Sequence, residues 1–299
     1  MSDRLRARVT VGVVTRNRPE SLRQCLASVT ALGDALAEVI VIDDHGDVPI
    51  EDIVRATRAP RVRFIRYPEA YGPIVARNRL VQDASTDIVL LLDDDAALIA
   101  DGRIRAPLEL FDAHPRVAAI ACAMAEPDGS LWDASMQPAP VDYTCYVASH
   151  IGFAHFVRRS VFLQAGGYRE SFFFYGEEKD LCIRMLHAGY DVVYMPQVRV
   201  IHDIDPAGRS VARYVRYAVR NDCLFALYNE PLPMLLVSLP VRVSRYFSMI
   251  RGHRDAGGFF WILNELVREM PAIVAGRHAV SWATVARWRR VSRTWPAFG

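Results

Sequence analysis

The stretch Ile88-Val89-Leu90-Leu91-Leu92-Asp93-Asp94-Asp95 decides how this chain is expected to fold. Five apolar residues bounded by polar positions fit a short strand buried on both faces. Three carboxylates follow directly. Side by side they repel one another, and their desolvation is costly without a counter-charge. A hard divalent cation, Mg²⁺ or Mn²⁺, supplies that charge and accepts oxygen ligands. The carboxyl end of a parallel strand is also where an open α/β sheet places its ligand crevice. For an Asp triplet taken alone, a solvated acidic turn or a helix N-terminus is the alternative.

The neighbouring segments repeat the pattern. Val9 to Val14 is a β-branched run ending at Thr15-Arg16-Asn17-Arg18, with Pro19 suited to a first helical turn. Leu22, Cys25, Leu26, Val29 and Leu32 then recur at helical spacing. Val39 to Ile42 is a second buried strand ending on Asp43-Asp44. A helix around Ile50 to Ala56, a strand from Val62 to Tyr67 and a helix from about Ile74 to Asp83 lead into the Ile88 strand. Alternating strands and helices predict an α/β fold with a doubly wound, mostly parallel sheet flanked by helices. Three polar clusters past three strand ends should then line one crevice. No glycine cradle for phosphates is present, neither G-x-G-x-x-G nor G-x-x-x-x-G-K-[ST], so carboxylate-bound metal is the substitute.

Further along, a helix from Ile104 to His114 precedes a strand from Val117 to Cys122, and Glu126 to Val141 is expected as a loop or hairpin over the site. Gly152 to Val157 is a strand, Arg159 to Ala165 a short helix stopped by Gly166-Gly167. From Glu177, helical spacing puts Leu181, Cys182, Met185 and Ala188 on one face with Glu178 near its middle, whereas Glu177, Asp180 and Arg184 point elsewhere. Strands Val192–Tyr194 and Val198–Ile201 end at His202, where imidazole is a plausible added metal ligand.

The chain has 299 residues, enough for one large α/β domain or a domain with an appendage. A net charge of +2 implies no nucleic-acid or other polyanion partner. Five scattered cysteines without C-x-x-C pairing are expected as buried small hydrophobes in a reducing compartment. The N-terminus shows no apolar signal region and no run is long enough to span a bilayer, so a cytoplasmic location is expected.

Taken together and in order, these residues resemble the inverting family-2 glycosyltransferases, which have the GT-A nucleotide-sugar-binding fold. The likeness runs from about Val9 to His202. It implies that Thr15, Arg16, Asn17, Arg18 and Asp43 or Asp44 hold the nucleoside. Asp93, Asp94 and Asp95 match the family's Asp-x-Asp motif, which contacts ribose and the metal–diphosphate. Arg77-Asn78 looks like the pair that frames the donor site, and Gly152 and Gly167-Tyr168 match the lead-in to the acceptor side. The Glu-Asp pair followed by Asp-Leu and Arg matches Glu177-Glu178, Asp180-Leu181 and Arg184. The family's general base stands where Glu178 stands, with Glu in place of Asp, and Glu177 is the alternative. His202 matches the histidine that completes a metal shell with Asp93 and Asp95.

The resemblance implies an inverting, metal-assisted hexosyltransferase-type reaction of glycan biosynthesis. A sugar would pass from a nucleotide-diphosphate donor to a hydroxyl of a glycan, a lipid-linked glycan or a small metabolite. A metal-dependent sugar nucleotidyltransferase and a non-catalytic sugar-nucleotide-binding protein are the rival readings. Residues 1–203 are expected as the catalytic domain and 204–299 as a helical region. There Arg209, Arg213, Arg216 and Arg220 alternate with Val211, Tyr214, Val215 and Tyr217, and Trp282, Trp288 and Trp295 stand among arginines. Such a tail can serve the acceptor side, a homodimer contact or peripheral contact with the inner face of a membrane.

Overall fold

In the central strands, alternate residues go to two different cores. Strand β1 (Val9–Thr15) sends Val9, Val11 and Val13 to one, and β4 (Ile88–Asp93) sends Ile88, Leu90 and Leu92 to the same one and Val89 and Leu91 to the other. The continuous apolar run of β4 is thus buried on both sides. The computed structural model describes residues 7–203, 210–251, 255 and 257–299. Arg209 and the expected boundary at residue 204 lie outside the described residues.

With β2 (Leu36–Asp43), β3 (Val62–Arg66), β5 (Ala96–Leu98), β6 (Val117–Ala125), β7 (Cys145–Tyr146), β8 (Ala154–Arg158) and β9 (Asp191–His202), the described residues form a nine-stranded sheet of order β3-β2-β1-β4-β8-β6-β9-β5, with β7 also on β9. Strands β1 to β4, β6 and β9 run one way; β5, β7 and β8 run against them. Register aligns the polar strand ends: Thr15 pairs with Asp43, and Val14 with Asp93.

Helices α1 (Pro19–Ser28), α2 (Glu51–Arg55) and α4 (Ala106–Ala113) cover one face. Helices α3 (Pro73–Asp83), α5 (Arg159–Gln164) and α6 (Glu177–His187) cover the other. Helix α3 comes so close to β1 that a Cβ at Gly12 would meet Leu80 Cδ1 at 3.0 Å. The chain ends in α7 (Val211–Asn229), α8 (Leu232–Met249), α9 (Gly258–Gly276) and α10 (Trp282–Thr294), which share the core of α3 and α6. All five cysteines are buried and free.

Two local features differ from the sequence expectation. The expected strands Val192–Tyr194 and Val198–Ile201 are one strand, β9. Its register on β6 jumps from Met195↔Cys122 to Arg199↔Ala123, so an irregularity takes up residues 196–198, beginning at Pro196, which has no N–H for the ladder. Strand β5, too short to show in the pattern, pairs with the end of β9 as Ala96↔His202. That pairing builds the site.

Candidate active site

Asp95 immediately precedes β5, and the backbone N–H of Asp203 donates to the Asp95 carbonyl at 3.0 Å. The turn after β4 is thereby fastened to the end of β9. His202 Nε2 lies 3.3 Å from Asp95 Oδ1. Asp93, Asp95 and His202 each offer a ligand atom within 4.8 Å of the others. The imidazole is held between rings, stacked on Phe153 at 4.9 Å and on Trp132 at 6.1 Å. Its Nδ1 is buried without a hydrogen bond. Trp132 comes from the loop expected to cover the site.

Asp94 is tied down differently. Thr15 Oγ1 donates to its Oδ2 at 2.7 Å and Arg18 Nη1 to its Oδ1 at 3.1 Å; the same Arg18 nitrogen reaches Asp95 Oδ2 at 3.2 Å. Burial pushes the Asp94 carboxyl up to about 6, against the pull of Thr15 and Arg18. Thr15, Arg18 and the three aspartates therefore meet in one place, with Asp94 fixing the strand end and Arg18.

The second strand end carries a separate set of polar contacts. Asp43 Oδ1 accepts from Gly46 N at 2.8 Å, while its buried Oδ2, 3.5 Å from Arg66 Nε, accepts no hydrogen bond. Asp44 accepts from Tyr71 N and Gly72 N at 2.8 and 3.0 Å, which fixes the lead-in to α3. Asn17, at φ +59°, accepts from Asp47 N at 2.6 Å and donates to Asp47 Oδ2. Arg16 is exposed.

Arg77 joins the acidic cluster to α6. Its Nη2 donates to Asp93 Oδ1 at 2.5 Å and its Nη1 to Glu177 Oε1 at 3.1 Å. Behind it, His150 and His155 stack at 3.8 Å, and burial first, with the Arg77 charge adding, keeps both imidazoles neutral. Gly152 covers the same spot: a Cβ there would stand 2.5 Å from Glu178 Oε1 and 3.2 Å from Arg77 Nη1. Asp93, Arg77, Glu177 and Glu178 are consequently neighbours. Burial, and for Glu177 the Glu178 charge next, raises both glutamates above the ordinary carboxylate value.

Helix α6 corrects the expected face assignment. Glu177 and Asp180, placed away from the apolar side by helical spacing, are 3% and 0% exposed, whereas Glu178 is only half-buried. A helical wheel assumes one solvated side; α6 packs against α5, α7, α10 and β9, which leaves it little. Asp180 is paired with Arg169 and Arg184 at 3.1 and 2.6 Å. The other Arg184 donors go to the Ala165 and Gly167 carbonyls. Asn78 clamps Tyr168, accepting from its N–H and donating to its carbonyl, both at 2.8 Å. Arg184 and Asn78 are thus engaged with the chain itself, at the acceptor-side lead-in.

Several residues of this region gave no sequence signal. Arg169, Trp132, Phe153 and the two stacked histidines act through contacts distant in sequence. Asn221 of α7 donates to the carbonyls of Phe172, Phe174 and Tyr175, shaping the turn before Glu177. Only proximity in space singles them out.

The family model "Glycosyl transferase family 2" matches residues 10–173, more than half of the chain. Pre-mycofactocin glycosyltransferase of Mycobacterium tuberculosis is 30% identical over 210 residues, 65% of this chain and 42% of the relative. N-acetylglucosaminyl-diphospho-decaprenol L-rhamnosyltransferase of the same organism is 26% identical over 248 residues, 68% of this chain and 80% of the relative. The chain spans less than half the length of the first of these relatives. Among solved structures, GalNAc-T7 with UDP, GalNAc and Mn²⁺ superposes with TM-score 0.60 at 16% identity, covering 89% of this chain and 57% of that one. Mannosyltransferase PcManGT from Pyrobaculum calidifontis, with GDP-Man and Mn²⁺, gives TM-score 0.60 at 17% identity, covering 95% and 83%. At that identity the likeness shows the fold, a GT-A fold followed by C-terminal helices. With the family match spanning strands β1 to β8, the chain belongs to glycosyl transferase family 2.

Proposed function

We propose that this protein transfers a sugar from a nucleoside-diphosphate donor to an acceptor hydroxyl with inversion at the anomeric carbon. The observation that carries the proposal is Arg77, whose two nitrogens hold Asp93 of the acidic cluster and Glu177 of α6. The acidic cluster and the first turn of α6, which carries Glu177 and Glu178, are thereby neighbours, which supports a cation and a carboxylate base acting on one substrate. The donor set of Asp93, Asp95 and His202 fits a hard divalent ion, and the imidazole favours Mn²⁺ over Mg²⁺. When bound, such an ion stabilises the charge that develops on the departing diphosphate. Arg18 and Arg77 add fixed positive charge on the same side.

Glu178 is the assigned base. It is partly buried with its Oε1 beside Gly152 and no ion-pair partner among the described residues, whereas Glu177 Oε1 is committed to Arg77. Taking the acceptor proton requires an ionised carboxylate within hydrogen-bond reach. Relatives and structural neighbours support the substrate class: one is named for a diphospho-decaprenol acceptor, others hold UDP or GDP-Man. Incubation with a panel of sugar nucleotides and Mn²⁺ or Mg²⁺, with assay of free nucleoside diphosphate, tests the reading. Release with one donor supports it. Pyrophosphate release from a nucleoside triphosphate would point to a nucleotidyltransferase, and binding without release to a non-catalytic protein.

Two further outcomes are expected. Asp95→Asn, or chelation with EDTA, should weaken donor affinity on the order of tenfold or more; unchanged affinity by calorimetry would remove the cation from donor binding. The pH profile follows from Glu178, whose pKa lies above the usual value because of burial. The working form is unprotonated, so kcat/KM is full above that raised pKa and falls as pH drops through it. The acid limb should thus lie above the ordinary glutamate range. A limb at or below about 4.3 would exclude a buried glutamate as base.

A further inference from the structure

The outer side of α8 and α9 is not covered by any described part of the chain. On α8, Leu232, Leu236, Val237, Val241 and Phe247 are 57–81% exposed, and on α9 Phe260, Val267 and Val274 are 69–74% exposed. With Leu263 and Met270 between them, the α9 residues recur every three or four positions, one continuous stripe. Both helices pack on α7, whose second half they help bury. They meet at one end through Phe247 and Phe259, with ring centroids 5.0 Å apart. At the other end Arg277 reaches the Leu227 and Glu230 carbonyls. An apolar surface on this scale marks an interaction site.

Charge indicates what covers it. Residues 231–299 hold ten arginines and three acids, a net of +7, so residues 1–230 carry −5 of the chain's total of +2. All three acids turn inward: Asp255 pairs with Arg216, and Glu265 and Glu269 with Arg220. Arg245 and Arg268 stand 63% and 72% exposed on the two helices. On α10, exposed Arg289 meets Met234 of α8, and Arg290 and Arg293 are exposed beside it.

We propose that the outer face of α8 and α9 docks on the surface of an anionic lipid bilayer, the apolar stripe lying among the acyl chains and the arginines among the head groups. Apolar insertion and attraction to anionic lipid are the two contributions that hold such helices in the interface. A second copy would fit less well, because a two-fold contact through this face sets the exposed Arg245 and Arg268 of one copy against those of the other. Docking, not spanning, is the mode: among the described residues no helix is long and apolar enough to cross a membrane. An aromatic row of Phe173, Tyr217 and Trp261 leads from the turn before α6 to Phe260's neighbour on α9, so the cleft would open near the bilayer.

Flotation of the full chain with phosphatidylcholine vesicles, with and without phosphatidylglycerol, tests this without any need for turnover. Wild type should float with the anionic vesicles and remain below with the neutral ones. Leu236→Asp with Val267→Asp should lower the floating fraction about tenfold or more, with melting temperature unchanged because both side chains point outward. Arg245→Glu with Arg268→Glu should lower it on anionic vesicles alone. Wild type that stays at the bottom with anionic vesicles, or that floats equally well with the Leu236→Asp and Val267→Asp changes, overturns the proposal. So does a wild-type dimer in sedimentation that those changes dissociate while flotation is absent, which would assign the face to a second copy.

Discussion

Glu178→Gln is expected to lower kcat by about 10²–10⁴-fold while leaving nucleotide affinity within twofold of wild type. The amide keeps the shape of the side chain and cannot take a proton, so only the step that ionises the acceptor is removed. Gly152 leaves room for that side chain, since a Cβ there would lie 2.5 Å from Glu178 Oε1, and glutamine fits the same space. Glu177→Gln is the contrasting variant. Its side chain is buried and held by Arg77 Nη1, so its loss should act through the position of Arg77 and leave substantial turnover. Parallel measurement of nucleoside-diphosphate release and of nucleotide binding by calorimetry separates the two. Full turnover in Glu178→Gln with abolished turnover in Glu177→Gln would reverse the assignment, and full turnover in both would take α6 out of the chemistry.

The sequence pattern revealed what depends on short-range periodicity. β1, β2 and β4 are runs of apolar residues, and their polar ends are fixed by where those runs stop; parallel register then aligns Thr15, Asp43 and Asp93 without further information. His202 is legible as a strand-end imidazole and candidate metal ligand, while the contact that brings it to the aspartates is not. Its approach to Asp95 needs β5, whose three residues show no pattern, and an irregularity beginning at Pro196 that carries β9 through. The inward face of α6 was misjudged because burial there is decided by α7 and α10, which arrive late in the chain and from another direction. Arg184 and Asn78 sit in motif positions, yet their hydrogen bonds go to Ala165, Gly167 and Tyr168. A motif names a position, and only packing shows whether a ligand or the chain itself takes up its donors.

Arg77→Met should be the most destabilising single change near the site. The guanidinium, 12% exposed, neutralises Asp93 and Glu177 together, and the latter is 4% exposed. Removing the cation leaves buried negative charge unpaired, at a cost of about 3–5 kcal/mol when both partners are fully buried. Asp93 is 32% exposed and so partly solvated, and Glu177, which burial already raises to about 8, can take up a proton instead, which places the expected loss below that range, roughly 2 kcal/mol. For a chain of this size that is a fall in Tm of roughly 4–8 °C. Methionine retains the unbranched stem, so the change removes chiefly the guanidinium and its charge. Two controls give the prediction its content. Adding Glu177→Gln removes one of the unpaired charges and should recover part of the loss, since residues in one ion-pair network are not additive. Mn²⁺ should raise the Tm of Arg77→Met more than that of wild type, because a cation held by Asp93 substitutes for the missing guanidinium. If melting were insensitive to both controls, Arg77 would be a packing residue, and the link between the acidic cluster and α6 would carry no electrostatic weight.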